Sequence, residues 1–184
     1  MTQGIKTLYR GAWYRSRLEA KWAAMFDLLG WSAQYEPFDL PGWIPDFSIK
    51  AEVDPGFLLV EVKPFLRGED YATDEMREAI DAAVAGGTLA AAPDVLLLGH
   101  SAVIPGPGHA DFHSGWLSWG HDQACVNHHG GRYGLIAYCG SYFDRITGLY
   151  SGNDYVLPAS GDEVCDLWAA AGNLVQWYPA KVVA

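Results

Sequence analysis

Two strongly apolar segments with a helix-like segment between them constrain the fold of this chain more than any other feature. FLLVEVKPF, residues 57–65, and PDVLLLGH, residues 93–100, have the composition of buried strands. Between them lies YATDEMREAIDAAVAGG, residues 71–87, in which Thr73 is a suitable helix N-cap and two glycines end the helix. Strands joined by a helix that crosses over the sheet run parallel. We therefore expect an α/β fold.

Another helix is predicted ahead of these segments. Residues 16–30, SRLEAKWAAMFDLLG, carry apolar side chains at helical spacing. Ser16 is a suitable N-cap, and Glu19, three residues later, completes a capping box. Gly30 follows the last apolar position and is expected to end the helix.

Two further strands are predicted between this helix and residue 57. The segment SAQYEPFDL, residues 32–40, has the pattern of a short strand that Pro37 interrupts. Residues 43–49, WIPDFSI, have a strand pattern with Pro45 at a bend or an edge. The predicted order is helix, three strands, helix, strand, in a mixed sheet.

Length and composition favour one globular unit with an appendage. The chain has 184 residues, of which 50% are hydrophobic, and this is enough to bury a core. We assign residues 1–100 to the α/β core. Residues 101–184 are assigned to a C-terminal extension that is rich in strands, contains one helix and packs on the core.

Within this extension the expected structure is less regular. Residues 102–116, rich in Gly, Pro and His, are predicted to be a loop, and residues 132–152 a hairpin or two short strands. Residues 162–177 are predicted to begin as a helix that gives way at Gly172 to a short strand.

The charge of the chain limits its partners. The formal net charge is −10, which counts against a broad nucleic-acid-binding surface, because neutralising phosphates requires Lys and Arg. Residues 1–22 nevertheless carry five of the 12 Lys and Arg residues and one acid, whereas residues 69–81 carry six acids and Arg77 alone. The pattern indicates either a basic end with a solvated acidic helix face, or a local basic strip beside an acidic body.

The cysteines and the apolar runs bear on the compartment. Three cysteines, an odd number, argue against a disulfide framework and fit a reducing environment. No apolar run approaches the roughly 18 residues of a membrane span, and the start, MTQGIKTLYRGAWYRSR, lacks the apolar core of a secretory signal. We expect a cytoplasmic protein without a membrane partner, in a bacterium or a phage-infected host cell.

Three charged residues lie among the strand-forming residues. If segments 43–49 and 57–65 pair as a hairpin, Asp46 and Glu61 face one another at one end of the sheet. Glu61 and Lys63 are two residues apart and project from the same face. Two carboxylates and a strand carbonyl are a ligand set for Mg²⁺, and a neighbouring lysine suits holding water or stabilising phosphate charge. The alternative is a salt-bridge ladder on the solvated face of a strand.

These residues also carry a resemblance. The pair PD at 45–46, followed by EVK at 61–63, resembles the signature of the PD-(D/E)xK nuclease superfamily, and the predicted element order is similar to its restriction-endonuclease-like core. The segment RSRLEAKWA, with Glu19, is similar to the first helix of several members. Transposon endonucleases of the TnsA type and phage junction-resolving endonucleases have a similar helical Glu, then PDF, then acid-x-Lys. The resemblance covers residues 9–100.

The resemblance implies a role for each matching residue. Asp46 and Glu61 would bind Mg²⁺, with Mn²⁺ as a substitute, helped by the carbonyl of Val62. Lys63 would position the nucleophilic water. Glu19 would be a further metal ligand or would hold a water on the metal, and its alternative role is that of the capping box.

The implied function is Mg²⁺-dependent hydrolysis of DNA phosphodiester bonds, by an endonuclease of phage or mobile-element DNA processing. Arg15, Arg17 and Lys21 would contact DNA phosphates beside the site. Because the chain is acidic, a homodimer or a protein partner would supply further DNA affinity. The alternative is a catalytically inactive nuclease-like module that binds DNA or a protein. Duplex, branched and single-stranded DNA all remain open as substrates.

The histidines suggest a second metal site. All six lie between residues 100 and 129. The N and S donors of a tetrahedral structural zinc site would be His121, Cys125, His128 or His129, and Cys139. Such a site would make the chain a metal-stabilised interaction protein. The alternative is a polar loop in which the cysteines serve as small apolar side chains, the role also expected of Cys165 in the last helix.

Overall fold

The computed structural model describes residues 4–51, 55–64, 72–105, 110–112, 117–119 and 161–175. In these ranges the helices are α1 (Arg17–Leu29), α2 (Thr73–Ala85) and α3 (Gly161–Leu174). The strands are β1 (Thr7–Tyr9), β2 (Ala12–Tyr14), β3 (Ala33–Tyr35), β4 (Phe47–Lys50), β5 (Phe57–Val62), β6 (Val95–Leu98), β7 (Val103–Pro105), β8 (Ala110–Phe112) and β9 (Leu117–Trp119). The fold is mixed α/β, as predicted.

A five-stranded sheet forms the centre, with the strand order β3-β4-β5-β6-β9. β5 and β6 are parallel, with Glu61 opposite Leu97, whereas the other neighbouring pairs are antiparallel. The parallel pair is the one that α2 connects, because a helix crossover returns the chain to the same end of the sheet. The predicted parallel arrangement is therefore confirmed.

The side chains of β5 alternate between two cores. Leu58, Val60 and Val62 pack with α1 on one face of the sheet. Leu59 packs on the other face, with α2 residues such as Ile80. Both faces are thus covered by helices, which is why β5 has an almost continuous apolar sequence.

The ends of α1 follow the prediction. Ser16 is the N-cap, and its Oγ accepts a hydrogen bond of 3.1 Å from the backbone N–H of Glu19. Gly30 ends the helix in the left-handed conformation, with φ of 72°, where a residue with a Cβ would be strained.

The start of α2 differs from the prediction by one residue. Ala72 is the N-cap and provides no side-chain hydrogen bond, so the assignment of Thr73 as N-cap is wrong. Asp74 and Glu75 in the first turn stabilise this end through the helix dipole instead.

The last helix contacts the first. Trp168 of α3 lies with its ring centroid 4.7 Å from that of Trp22, and Ala171 is buried in the same core. α3 continues through Gly172, so the predicted break there is wrong. A Cβ at Gly172 would lie 3.2 Å from Cε of Lys21, so a larger residue there would have to displace the lysine side chain by a few tenths of an ångström.

The predicted loop at residues 102–116 contains strands. β7 and β8 pair antiparallel, and β9 adds to the central sheet beside β6. Val103 and Ile104 favour extended backbone, and Pro105 stands at the end of its strand, where a missing N–H is tolerated. β4 also begins later than predicted, at Phe47, because Pro45 cannot donate to a ladder. The hairpin predicted at 132–152 lies outside the described residues.

An N-terminal hairpin of β1 and β2 was not predicted. Arg10 and Gly11 form its turn, both with positive φ, 45° and 83°. Positive φ at both central residues is the feature of a type I′ turn, which matches the twist of the strands. Within the described part of the chain, no helix has the length and apolar character needed to cross a membrane.

Candidate metal and phosphate site

Asp46 and Glu61 lie side by side at one end of the central sheet. Phe47 of β4 is opposite Val60 of β5, and Asp46 precedes Phe47 at the end where Glu61 follows Val60. The two residues are only 1% and 4% exposed. A carboxylate in this position is not on a solvated strand face, and its charge must be compensated by neighbouring groups.

The carboxylate of Asp46 has two partners. Oδ2 accepts a hydrogen bond of 2.7 Å from the backbone N–H of Val62, and Oδ1 is paired with Nη2 of Arg15. Burial, followed by the nearby Glu61 carboxylate, raises the pKa of Asp46 from 3.8 to about 7, although Lys63 and the Val62 hydrogen bond oppose the rise. The site thus favours an added positive charge.

Glu61 is held from both sides. Its Oε2 accepts a hydrogen bond of 2.9 Å from Nε1 of Trp43, and its Oε1 is paired with Nζ of Lys63. Trp43 is placed by a turn in which Leu40 and Trp43 exchange backbone hydrogen bonds and Gly42 has a φ of 85°. A Pro-Gly pair at the centre of such a turn is typical of type II geometry.

Lys63 connects this site to solvent. Its backbone N–H donates to the carbonyl of Leu98, at 3.0 Å, so the parallel pairing of β5 and β6 extends to this residue. Its side chain is 42% exposed. Partial burial opposes the charge, but Glu61 and then Asp46 attract it, and together they raise the pKa of Lys63. Lys63 is therefore a cation that can donate to a bound oxygen.

Glu19 lies nearby but has partners of its own. Its Oε1 accepts from Oγ of Ser16 at 2.8 Å, and its Oε2 accepts from the hydroxyl of Tyr35 at 2.7 Å and from the backbone N–H of Arg15 at 3.2 Å. Burial, followed by the hydrogen bond to Glu19, raises the pKa of Tyr35. These contacts explain why a carboxylate is buried at the start of α1, and the metal role of Glu19 stays a prediction.

Arg15 contacts Asp46 on one side and the carboxylates of Glu36 and Glu19 on the other. Besides Asp46, its Nε lies 2.9 Å from Oε1 of Glu36 and 3.8 Å from Oε2 of Glu19. Partial burial disfavours the guanidinium charge, but Asp46 and Glu19 raise the pKa of Arg15 above its ordinary value. Arg15 is thus built into the site, a position that its sequence pattern did not predict.

The two other residues predicted to contact DNA lie in different surroundings. Arg17 is exposed at the first position of α1. Nζ of Lys21 lies 3.8 Å from the ring centroid of Trp168, under α3. Burial and the charge of Arg17 lower the pKa of Lys21. Their role toward DNA stays a prediction.

The carboxylates of Asp46 and Glu61 fit a Mg²⁺ site, but both are already paired with cations. In the parts of the chain that the structure describes, no three or more His, Cys, Asp or Glu side chains form a metal-binding group. Two adjacent carboxylates are present, and Mg²⁺ is commonly bound through one or two carboxylates, with waters and substrate phosphates completing the shell. Oδ1 of Asp46 and Oε1 of Glu61 would have to exchange Arg15 and Lys63 for the metal.

Sequence reasoning missed Trp43 and Tyr35. Both donate a hydrogen bond to a carboxylate of this region, from positions 18 and 16 residues away in the chain. The Pro-Gly turn before Trp43 was a usable signal, because it directs the tryptophan back toward the strand that follows. No comparable signal marked Tyr35, a polar aromatic residue in a short strand.

The predicted zinc ligands, His121, Cys125, His128 or His129, and Cys139, lie outside the described residues. Cys165 lies in α3, and its side chain is likewise outside the described part. The zinc site stays a prediction. Stoichiometric zinc in the purified protein, lost in Cys125→Ser, would support it, and absence of zinc would remove it.

Comparisons with protein-family models, with curated proteins and with solved structures gave no match to this chain. The resemblance to PD-(D/E)xK nucleases therefore rests on the motif residues and their order.

Proposed function

We propose that this chain is a metal-dependent endonuclease with a restriction-endonuclease-like core, and that it hydrolyses DNA phosphodiester bonds at Asp46, Glu61 and Lys63. The observation that carries the proposal is the meeting of two buried carboxylates with a half-exposed lysine at one end of β4 and β5. Two adjacent buried acids are unfavourable unless cations compensate them. Arg15 and Lys63 compensate them in this structure, and a divalent cation would do so in their place.

Asp46 and Glu61 would hold the Mg²⁺ ion, with the carbonyl of Val62 as a third donor. When bound, the metal ion supplies Lewis-acid stabilisation of the charge that develops on the phosphate. A water oxygen attacks phosphorus in line, the bond from phosphorus to the ester oxygen breaks, and the leaving oxygen takes up a proton from the water. The products are a phosphomonoester and a hydroxyl group.

The protein side chains divide the remaining work. Lys63 is a cation beside the two carboxylates, which raise its pKa, so it would orient water or a phosphate oxygen as a hydrogen-bond donor. With a metal ion at Asp46, Arg15 would keep its pair with Glu36, and its Nη2 group would contact a phosphate of the substrate. Glu19 holds Tyr35 and the backbone of Arg15, and so positions the guanidinium.

The test is cleavage of linear, nicked, branched and single-stranded DNA by the full chain, with Mg²⁺, with Mn²⁺ or with a chelator. We expect metal-dependent cutting of at least one substrate. Asp46→Asn and Lys63→Ala should lower the rate by about 100-fold or more, because each removes a group that acts on the reacting phosphate. Asp74→Asn, an exposed acid on α2, is the matched control and should cut like wild type.

Thermal unfolding gives a second readout of the same site. Mg²⁺ should raise the melting temperature of wild type and of Asp74→Asn, because a ligand that binds only the folded state stabilises it. Asp46→Asn should show no such rise. Wild-type protein that leaves every DNA form intact at high enzyme concentration, or Asp46→Asn that cuts as well as wild type, would refute the endonuclease.

A second function, an inactive nuclease-like module that binds DNA or a protein, is favoured by one observation. The site oxygens Oδ1 of Asp46 and Oε1 of Glu61 are already paired with Arg15 and Lys63. If these pairs persist, metal does not enter. This function predicts a binding partner, but no cleavage by wild type under any metal condition.

A further inference from the structure

The N-terminal hairpin of β1 and β2 has one buried and one exposed face. Tyr9 and Tyr14 are buried in the core, and the ring centroid of Tyr14 lies 4.5 Å from that of Tyr35. On the opposite face, Leu8 and Trp13 are cross-strand partners and are 52% and 64% exposed. A large aliphatic–aromatic pair that faces water is costly and commonly marks a binding surface.

The segment around this hairpin is basic, whereas the chain as a whole is acidic, and two of its basic residues, Arg10 and Arg15, are also each paired with an acid. Residues 4–17 contain four basic residues and no acid, in a protein of net charge −10. The four are Lys6, Arg10, Arg15 and Arg17. A polyanion would be attracted here and repelled elsewhere, whereas an apolar protein partner would have no need of this charge.

The turn places an arginine at the tip at some cost. Arg10 has a φ of 45°, in the left-handed region that disfavours residues with a Cβ. Asparagine is the preferred residue at this position of a type I′ turn. Arg10 is mostly exposed even though Nη1 lies 3.1 Å from Oδ2 of Asp27. The hairpin therefore keeps a positive charge at its tip where a neutral residue would fit better.

The hairpin also adjoins the candidate site. Trp13 precedes Arg15, the partner of Asp46, by two residues, so their Cα atoms are no more than about 7 Å apart. Because Arg15 follows β2 directly and contacts Asp46, the hairpin is a neighbour of the Asp46 site. Aromatic side chains flanked by basic residues are the means by which proteins bind unpaired bases.

We propose that the exposed face of the β1–β2 hairpin binds the unpaired bases of a DNA strand beside the Asp46 site, with Trp13 and Leu8 against a base and Arg10 on the phosphates. The inference deepens the proposed endonuclease and rests on it for the choice of DNA. It assigns the substrate class: single-stranded DNA, or a duplex with a fork or a branch, rather than an intact blunt duplex.

The test measures DNA binding by the full chain with fluorescence anisotropy. A chelator is present, so that no cleavage occurs. The probes are one labelled oligonucleotide offered single-stranded, as a fork and as a blunt duplex. Trp13→Thr keeps strand propensity and should weaken binding of the first two probes by about ten-fold, the size expected for one lost stacking contact. Trp13→Phe should retain most of the affinity. Leu174→Gln, which changes an equally exposed apolar residue on α3, is the control and should bind like wild type.

Arg10→Asn separates function from folding. It should melt at or above the wild-type temperature, because asparagine suits the left-handed turn. It should weaken binding of the single-stranded and forked probes and reduce the salt dependence of that binding by about one phosphate contact. Lys50→Gln is the charge-matched control, because Lys50 lies at the end of β4 away from Asp46.

The outcomes distinguish this inference from the proposed function. If wild type binds DNA through the hairpin but cleaves none, the DNA-binding role of the hairpin is supported and the proposed endonuclease function is refuted. If Trp13→Thr binds and cleaves a fork with the wild-type affinity and rate, the DNA-binding role of the hairpin is refuted and the proposed endonuclease function is supported. Failure of wild type to bind any probe, or a Trp13→Thr variant that only loses self-association in sedimentation, would overturn the hairpin assignment.

Discussion

The backbone N–H of Val62 donates a hydrogen bond of 2.7 Å to Oδ2 of Asp46, which links the end of β5 to the residue before β4. Both groups are buried. The carboxylate is thus part of the sheet and of the candidate site at the same time, and substitutions can separate the two roles.

Asp46→Ala should be less stable than Asp46→Asn. Alanine leaves the buried N–H of Val62 without its acceptor, at a cost of about 1–3 kcal/mol, whereas the asparagine carbonyl oxygen can still accept it. Urea unfolding of the two variants without metal measures the difference. Equal stabilities would show that the Val62 hydrogen bond contributes nothing, and Ser48→Ala on β4 is a control for truncation of a strand residue.

Glu19→Ala should be destabilising by about 2–3 kcal/mol, because it leaves the Tyr35 hydroxyl and Ser16 without this acceptor, whereas the Arg15 backbone N–H still has the Tyr35 oxygen. A double-mutant cycle with Tyr35→Phe should give a coupling free energy of about 1 kcal/mol or more. Additive effects of the two substitutions would contradict the observed hydrogen bond. Glu19→Gln, which keeps one acceptor oxygen, should lose less stability than Glu19→Ala.

Stability at alkaline pH should depend on Tyr9. Its hydroxyl donates a hydrogen bond of 2.9 Å to Asp27, and burial, then this bond, raise the pKa of Tyr9 from 10.0 to about 12. The folded chain therefore holds this proton more tightly than the unfolded chain, so the stabilisation is complete below pH 10 and is lost as the pH rises toward 12. Melting temperatures measured across this window should fall more steeply for wild type than for Tyr9→Phe, and parallel curves would contradict the shift.

The effect of Gly172→Ala on stability should depend on the side chain at residue 21. Alanine favours a helix interior over glycine by about 1 kcal/mol, but its Cβ would press on the Lys21 side chain, which lies over Trp168. We expect a change within about 1 kcal/mol in wild type, since the helix gain and the lost cation–π contact offset each other. In Lys21→Ala the same substitution should be stabilising by about 1 kcal/mol, and an identical effect in both backgrounds would disprove the contact.

The sequence predicted those features that depend on local pattern. The capping of α1 by Ser16 followed from a spacing of three residues, and the parallel pairing of β5 with β6 followed from one apolar segment on each side of a helix. The pairing of Asp46 with Arg15 did not follow, because it joins residues far apart in the chain and depends on how the hairpin packs on α1.

The strands after residue 100 were missed for a different reason. β7, β8 and β9 are three residues long, and glycine, proline and histidine surround them. Such short strands owe their conformation to a partner strand more than to their own composition, so β9 could not be predicted without knowing that β6 offers an open edge.

The contact of Trp22 with Trp168 has a consequence for how the chain reaches its folded state. Trp168 is synthesised 146 residues after Trp22, and Ala171 and Val175 belong to the same core. During translation the part of α1 around Trp22 therefore stays uncovered by α3 until residue 168 has been made, an interval in which nascent chains are open to aggregation and to chaperones. Synthesis of α3, not local formation of α1, therefore sets the earliest time at which this core closes.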